Sequence, residues 1–371
     1  MRVVHVIIGL NVGGAELMLK RLLEHSSGSG VDHIVISLTD IGVLGSELVN
    51  RGISIICLNI KSPIQYVYAL RKLIKLLKKI KPDVVHTWMY HSDLLGGIAA
   101  KIAGIKKIIW CVRSTDISKG GSKFTLFVRW ICAKISSFVP DVIIYAANAS
   151  KEVHEKCGYD RKKSLVIPNG FDLAVLNPGN YPVRNLRTEL GISDCDIVIC
   201  SIGRYNPVKD HKTFIIASNL LAEKISNMKF LLVGRDLTAQ NDVLMSQIRA
   251  SEHADKFILL GERKDIPVCL ASSDIFCLHS VTEGFPNVLG EAMAMKVAAV
   301  TTDVGDAAFL LGMPDYVVPP EHPERLAQSL EKLVSLPYLE RNKIGSMLRK
   351  RIETEFSMDT VVHKYLSIYE K

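Results

Sequence analysis

Short runs of β-branched and aliphatic residues alternate along the chain with segments in which apolar residues recur at helical spacing. In the first half this pattern predicts strands over 3–9, 33–37, 54–58, 84–86, 107–112 and 142–146, and helices over 14–24, 45–51, 66–80, 93–103 and 123–137. Strands that alternate with helices in this way form a parallel sheet covered on both faces. The first half is therefore predicted to be a Rossmann-like, doubly wound domain.

A second series of strands and helices follows a segment without an apolar period. Residues 173–183 contain two prolines, two asparagines and one glycine, which is typical of a linker. Beyond it the pattern predicts strands over 197–202, 230–233, 257–260, 275–278 and 298–301, and helices over 213–223, 243–251, 266–272, 288–295, 323–335, 339–353 and 358–369. We therefore predict an α/β protein with two Rossmann-like domains, 1–176 and 177–355, and a C-terminal helix within 356–371 that packs back on the first.

Doubly wound sheets bind their ligands outside the carboxyl ends of the strands. Two such domains that face each other create an interdomain cleft, and clefts between domains are preferred ligand sites. The functional residues are therefore expected in strand-to-helix loops that face this cleft.

The composition is that of a protein with sizeable cores, since 48% of the 371 residues are hydrophobic and 23% are charged. The longest apolar runs are far shorter than the roughly 20 residues that span a bilayer, so no membrane-crossing segment is expected. The first apolar stretch carries His5 and lacks a small-residue cleavage site, which disfavours a secretory signal. The eight cysteines are scattered without a C-x-x-C pair, so we expect reduced thiols, a cytoplasmic protein and no structural metal.

The net charge of +8 is unevenly distributed. Residues 1–178 contain 24 Lys and Arg against 13 Asp and Glu, whereas residues 179–371 contain 22 against 25. The first domain therefore favours an anionic partner. Nucleic acid is disfavoured because the basic residues lack interleaved aromatic residues and glycines. An anionic membrane surface or a phosphate-bearing substrate fits the charge.

Two predicted helices of the first domain carry basic surfaces. Helix 66–80 has six basic residues in or beside it and a wide apolar stripe, and helix 123–137 places Phe124, Phe127 and Trp130 beside lysines. An ordinary amphipathic helix with a solvated basic face explains the first helix alone. Together with the charge balance, the two helices predict that the first domain docks on the anionic cytoplasmic leaflet.

The most specific chemical signal is a pair of glutamates, Glu283 and Glu291, separated by a Gly/Pro turn that leads into a helix. Backbone N–H groups at a helix start lie at the positive end of the helix dipole and can accept a diphosphate. Here they belong to Asn287, Val288 and Leu289. Glu291 suits the diol of a ribose. On their own, two glutamates at this spacing indicate only a capped helix.

Two cations follow the first strand of the second domain. Arg204 ends that strand after Gly203, and Lys209 lies five residues further on, beyond Pro207. Arg204 can bind phosphate oxygens through two hydrogen bonds, while Lys209 adds a mobile point charge. A solvated basic loop is the alternative. The position of Arg204 at the carboxyl end of a strand favours a clamp on a diphosphate.

These residues belong to a set of motifs that runs the length of the chain. The set consists of Gly13-Gly14-Ala15-Glu16, Pro168-Asn169-Gly170-Phe171-Asp172, Ser201-Ile202-Gly203-Arg204 with Lys209-Asp210, Leu232-Val233-Gly234, Asp265-Ile266-Pro267 with Ser273-Asp274, and the string from Glu283 to Glu291. In this combination the chain resembles the retaining nucleotide-sugar glycosyltransferases of family 4, which have the GT-B fold. The set is specific, although each motif alone is weak.

The resemblance implies a donor site without metal or other cofactor. Arg204 and Lys209 would neutralise the charge that grows on the departing diphosphate, and Glu283 would hold hydroxyls of the donor sugar. The residues implied to bind the donor are Gly13, Gly14, Gly203, Phe285, Asn287, Val288, Leu289 and Glu291. Met295–Ala298 and Asp306 depart from the family pattern, which leaves the donor sugar open.

The acceptor candidates, His86 and Arg113, close two predicted strands of the first domain. The family often has a histidine where Arg113 stands. Because arginine stays protonated, it cannot act as a general base. We therefore expect Arg113 to stabilise charge or to bind a phosphate of the acceptor. For His86, a place in the core is the alternative.

Sequence and resemblance together predict a cytoplasmic, metal-independent glycosyltransferase, peripheral on the membrane if the basic helices dock there, that extends a bacterial-type surface polysaccharide. The resemblance alone implies that it is a retaining enzyme. Its donor would be a nucleotide sugar, with UDP as the expected nucleotide, and its acceptor a glycan or a polyprenyl-diphosphate-linked sugar. Two alternatives stay open, a nucleotide-sugar epimerase of the same fold and a non-catalytic partner subunit. A NAD-dependent dehydrogenase is more distant, because G-x-G-x-x-G is absent from the end of the first strand.

Overall fold

The computed structural model describes residues 1–115 and 122–370 and divides into two compact units. Unit 1 is formed by Met1–Gly170 together with the C-terminal helix, and unit 2 by Phe171–Ser357. The change of unit falls a few residues before the predicted one. Phe171 belongs to unit 2 because its N–H donates to the carbonyl of Phe356 at 2.9 Å and its ring stacks on Phe285. Of the predicted C-terminal segment, Lys371 lies outside the described residues.

Unit 1 is built on a parallel sheet of seven strands, counted within the described ranges, in the order β3-β2-β1-β4-β5-β6-β7. The strands are β1 (Arg2–Ile7), β2 (Asp32–Ser37), β3 (Ser54–Cys57), β4 (Val84–Trp88), β5 (Lys107–Val112), β6 (Val142–Tyr145) and β7 (Ser164–Val166). The helices are α1 (Gly14–His25), α2 (Gly42–Asn50), α3 (Tyr66–Ile80), α4 (Tyr90–Ala103), α5 (Lys123–Ile135), α6 (Asn148–Lys156) and, at the end of the chain, α15 (Met358–Glu370).

Both faces of this sheet are buried, as the near-continuous apolar strands require. Helices α3, α4 and α5 share one core with the strands, to which they contribute Leu73, Ala99 and Val128. Helices α1 and α15 share the core on the other face, to which they contribute Leu19 and Tyr365. The last helix of the chain is therefore part of unit 1.

Unit 2 repeats this plan with six parallel strands, again counted among the described residues, in the order β10-β9-β8-β11-β12-β13. The strands are β8 (Ile197–Ile202), β9 (Met228–Val233), β10 (Phe257–Gly261), β11 (Ile275–Leu278), β12 (Ala298–Thr302) and β13 (Val317–Val318). The helices are α7 (Val183–Glu189), α8 (His211–Ala222), α9 (Asp242–Arg249), α10 (Ile266–Ala271), α11 (Asn287–Ala294), α12 (Ala307–Leu311), α13 (Pro323–Val334) and α14 (Tyr338–Arg351). Helices α8, α9 and α13 share one core, and α11 packs against α12 and α14.

The predicted elements are present, most with bounds shifted by one to a few residues. Helix α3 and strands β5, β8 and β11 have the predicted bounds. The elements that the pattern missed are short or polar, such as β7, β13 and the mostly polar helix α6. Strand β4 extends to Trp88 instead of ending at residue 86, and this moves His86 from the end of the strand to its middle.

Candidate active site

The loop after β8 brings Gly203 and Lys209 together in unit 2. Lys209 ends a 3₁₀ turn, Pro207–Lys209, which begins at a side-chain cap from Asn206. Its side chain folds back over Gly203, where an added Cβ would lie 3.4 Å from the Lys209 Cε atom. The lysine chain therefore passes directly over the strand end, within van der Waals reach of position 203.

Lys209 and Glu283 form an ion pair, with 2.5 Å between Nζ and Oε1. The hydroxyl of Ser280 donates to the same carboxylate oxygen at 2.6 Å. The two charged side chains are only 21% and 14% exposed, so water screens the pair less than it would a surface pair. Two residues predicted to act on one substrate are thus in direct contact, and the second carboxylate oxygen of Glu283 is not engaged by either partner.

His279, which belongs to none of the sequence motifs, holds the Lys209 loop. Its ring nitrogen Nδ1 donates to the Lys209 carbonyl at 2.5 Å, which leaves Nε2 to accept the hydroxyl of Ser201 at 2.6 Å. Burial lowers the pKa of His279 to about 3, so the ring stays neutral at physiological pH. The only signal in the sequence is a histidine directly after the buried strand β11.

The turn that carries Glu283 needs a glycine. Gly305 has φ +55, and an added Cβ would overlap the carbonyls of Glu283 and Gly284. The next residue, Asp306, donates its N–H to Gly284 at 2.8 Å. The loop after β12 therefore packs directly against the backbone of the Glu283 loop, and a glycine at position 305 allows this close approach.

Helix α11 begins at Asn287, directly after Pro286, as the motif predicts. Its third residue differs from the expectation: the Leu289 N–H donates to the Pro286 carbonyl at 3.1 Å, and the side chain is fully buried. The N–H of Leu289 is therefore committed within the turn and does not remain for the predicted anion site. Glu291 lies in the second turn of the helix and is half-buried.

Phe285 is buried, with its ring 6.2 Å from Phe171 and 5.9 Å from Phe356. Its ring belongs to an aromatic cluster of unit 2, next to the turn that carries Glu283. The donor contact implied for this position stays a prediction.

The remaining donor candidates are accessible. The Arg204 side chain is exposed, and within the described ranges no carboxylate lies at salt-bridge distance from it. Gly13 precedes α1 in extended conformation, and Gly14 is the first residue of that helix. In the described part of the chain no heavy atom lies within 4 Å of a Cβ added at Gly14.

Arg113 is bound within unit 1. Its guanidinium donates to the Ile167 carbonyl at 3.2 Å, to the Tyr365 hydroxyl at 3.1 Å and to the side-chain oxygen of Asn169. These contacts connect the end of β5 to the segment that leaves unit 1. To bind an acceptor as predicted, Arg113 would need hydrogen-bond donors that already hold this segment.

His86 has no exposed surface. Its Nδ1 atom lies 2.8 Å from the hydroxyl of Tyr369, and burial keeps the pKa of its ring well below the ordinary value. A side chain enclosed in this way cannot contact an acceptor, so we assign it to the core rather than to the acceptor site.

Two further properties concern metal and membrane. Within residues 1–115 and 122–370, three or more His, Cys, Asp or Glu side chains are nowhere grouped so that they could hold a metal ion. None of the helices in the described ranges is both long and apolar enough to cross a bilayer.

Comparison with known proteins places these features in a family. The model described as "Glycosyltransferase Family 4" matches residues 12–175, and that described as "Glycosyl transferases group 1" matches residues 196–335. The UDP-Gal:alpha-D-GlcNAc-diphosphoundecaprenol alpha-1,3-galactosyltransferase of Escherichia coli is 32% identical over 256 residues, which span 67% of this chain and 65% of that enzyme. The capsular polysaccharide biosynthesis glycosyltransferase CapM of Staphylococcus aureus is 26% identical over 81% of this chain and 80% of CapM. Among solved structures, Anabaena HepE in complex with UDP is 21% identical, with a TM-score of 0.83 over 100% of both chains.

Two parallel-sheet units of Rossmann type, together with the likeness to HepE over the whole chain, define a protein of the GT-B fold. The two family models match consecutive parts of the chain, the first mainly in unit 1 and the second within unit 2. The chain belongs to glycosyltransferase family 4, which confirms the predicted family and fold class.

Proposed function

We propose that the protein transfers a sugar from a UDP-sugar to a glycan or lipid-linked acceptor in surface-polysaccharide synthesis, with retention of configuration and without a metal ion. The observation that carries the proposal is the Lys209–Glu283 pair at the carboxyl edge of the unit 2 sheet. The names of the relatives support it, since the E. coli enzyme takes UDP-Gal and a diphosphoundecaprenol-linked acceptor. HepE has also been solved with UDP-glucose.

In the proposed reaction the acceptor hydroxyl attacks the anomeric carbon from the face that the diphosphate leaves. The bond between the sugar and the diphosphate breaks as the new glycosidic bond forms, and a diphosphate oxygen takes the proton of the hydroxyl. Arg204 and Lys209 stabilise the negative charge that develops on the leaving group. Since both partners of Glu283 use Oε1, the other oxygen is the one that accepts a hydroxyl of the donor sugar.

The two glutamates have separable roles, which gives the first test. Glu291→Ala should weaken UDP binding by about 1.5–3 kcal/mol, because a charged hydrogen bond to the ribose is lost. Glu283→Ala should lower turnover and leave UDP binding nearly intact. Calorimetric titration with UDP and initial rates with a UDP-sugar panel measure the two effects. Wild-type affinity for UDP in Glu291→Ala would contradict the ribose assignment, and product formed without any acceptor would point to the epimerase.

The cation clamp gives the second test. Arg204→Ala and Lys209→Ala should each lower kcat by roughly 10²-fold or more, comparable to losing one donor of an oxyanion hole. Lys212→Ala, which removes an exposed lysine two residues into the start of α8, is the matched control. Transfer rates with and without EDTA test the metal dependence. Activity that disappears in EDTA and returns only with Mg²⁺ or Mn²⁺ would overturn the metal-free proposal.

We also propose that unit 1 binds an anionic membrane surface, where a lipid-linked acceptor is available. On α3, Arg71, Lys75, Lys78 and Lys79 are exposed. On α5, Phe127 and Trp130 are 53% and 55% exposed and stack on each other at 6.0 Å. The ring of Phe124 contacts Tyr66, so the starts of the two helices are adjacent. Exposed aromatic rings beside lysines are suited to the headgroup region of a bilayer.

A further inference from the structure

Unit 2 contains a cavity of about 240 Å³ on the edge of the sheet opposite to the candidate active site. Its lining includes Asp274 and Ala298, which lie where β11 and β12 begin. His279 and the Glu283 loop follow the other end of β11. The five residues from Asp274 to His279 span roughly 16 Å at about 3.3 Å per residue. The cavity is therefore separate from the Lys209–Glu283 site.

The charges in the cavity wall do not balance. Arg187, Arg341 and Lys296 face one carboxylate, that of Asp274. The carboxylate of Asp274 contacts both arginines, with Oδ2 3.3 Å from Arg187 and Oδ1 3.6 Å from Arg341. Its Oδ2 atom also accepts the N–H of Val198 at 2.9 Å. The charged residues of the lining thus carry a surplus of two positive charges.

The two arginines are buried, with 8% and 7% of their surfaces exposed. The terminal nitrogens of Arg187 donate to the carbonyls of Ser193, Asp196 and Ser272, but its Nε atom is buried without an acceptor among the described residues. The distance of 3.6 Å between Arg341 and Asp274 exceeds that of a hydrogen bond, and Arg341 donates instead to the carbonyls of Leu333 and Leu336. The two buried guanidinium groups are thus held mainly by neutral carbonyls and share one carboxylate, which leaves positive charge in the cavity wall uncompensated.

We propose that this cavity is a second, non-catalytic anion site that binds a small phosphate monoester. Guanidinium groups match phosphate oxygens in geometry and charge, and the exposed Lys296 adds a third cation at the rim. Leu270, Met295 and Val297 give the lining an apolar part that suits the carbon body of an ester. The volume lies below the range of drug-sized pockets, which restricts the ligand to a small metabolite.

The test uses the whole chain and calorimetric titration with inorganic phosphate and with glucose 6-phosphate, at an ionic strength held constant with chloride. Asn342 lies exposed at the rim, so Asn342→Asp adds a carboxylate to the cavity without removing a buried arginine. Met347→Asp adds the same charge to α14 outside the lining and is the matched control. Lys209→Ala identifies any binding that belongs to the candidate active site.

Glucose 6-phosphate should bind at least as tightly as inorganic phosphate. Asn342→Asp should weaken binding at least tenfold, whereas Met347→Asp and Lys209→Ala should retain it within about twofold. Three results would overturn the assignment: no binding of either probe, binding of inorganic phosphate alone, or binding that Lys209→Ala abolishes and Asn342→Asp leaves unchanged. Because the titration needs no donor sugar, its outcome is independent of the proposed transfer reaction.

Discussion

Gly14 and Gly290 are both helical glycines of the family motifs, but the space beside them differs. A methyl group at Gly14 meets no heavy atom of the described chain within 4 Å, whereas at Gly290 it would overlap the ring of Phe171. A tightly packed position resists added volume, while an open one in a helix favours alanine. Packing therefore requires the glycine at position 290, whereas at position 14 the proposed donor contact is the reason for one.

Gly290→Ala should lower the free energy of unfolding by roughly 1–3 kcal/mol. Gly14→Ala should keep it or raise it by up to about 1 kcal/mol, because alanine reduces the freedom of the unfolded chain. If the backbone at Gly14 approaches the donor diphosphate, this stable variant should nevertheless lose affinity for the UDP-sugar. Urea unfolding and KM measure the two effects, and a Gly14→Ala enzyme with wild-type KM would reject the donor contact.

For single residues, the sequence shows which ones belong to a motif more readily than it shows which neighbours their side chains contact. Lys209 and Glu283 could be selected because charged side chains after buried strands indicate a site. The role of His279 depends on Ser201 and Lys209, which approach it only when β8 and β11 pair, so no local pattern reveals it. For Phe285 and His86 the sequence motifs suggest ligand contacts, but tertiary packing buries both side chains.

Among the elements, α3 combines a buried apolar stripe with exposed basic residues. Changing Lys75, Lys78 and Lys79 to Glu should weaken sedimentation with vesicles that contain anionic lipid, because each basic residue near such a surface contributes about 1 kcal/mol. High salt should release the wild-type protein. The control changes Lys212, Lys332 and Lys343 of unit 2 to Glu, which alters the net charge equally. Equal partitioning onto neutral and anionic vesicles, or none onto either, would favour an acceptor in solution.

Elements with a strong period were predicted best. The bounds of α3 follow from apolar residues at helical spacing, and those of β8 and β11 from short apolar runs enclosed by polar residues. By contrast, β13 has two residues and gains its pairing only from β12, a tertiary contact that leaves no periodic signal. The pattern ends strand β4 too early because the polar Thr87 interrupts the apolar run, although Thr87 and Trp88 are both buried in the strand.

For the whole molecule, buried neutral histidines determine the response to acid. Trp88 donates to Nδ1 of His5, so Nε2 of His5 donates to His33, and His33 in turn donates to Ser26. In this row of hydrogen-bonded rings, His5 and His33 each accept a hydrogen bond at one nitrogen, so both stay neutral. Burial lowers the pKa of His33 to about 4 and that of His5 well below its usual value, although Asp32 opposes the shift at His33.

In the unfolded chain these rings take up protons near pH 6.5, and in the folded chain they do not. The unfolded state therefore binds more protons below that pH, and stability falls by up to about 1.4 kcal/mol per pH unit for each such histidine. The urea midpoint should stay constant from pH 8 to 7 and decrease from pH 6 to 5. His33→Gln should flatten the decrease, while His363→Gln, which changes an exposed ring, should not. A midpoint that is unchanged at pH 5 would refute the neutral row.

Because α15 belongs to unit 1, that unit is completed only when the end of the described chain has been synthesised. Unit 2 is one continuous stretch, but the helix that covers Trp88 and Cys111 is translated only after all of it. At about 5–20 residues per second, the sheet of unit 1 lacks helix α15 for roughly ten to forty seconds during synthesis. During that interval the part of the sheet that α15 covers, including Trp88 and Cys111, is open to chaperones and to misfolding, while unit 2 can already fold to completion. The order of synthesis is thus the reverse of the order in which the two units are finished.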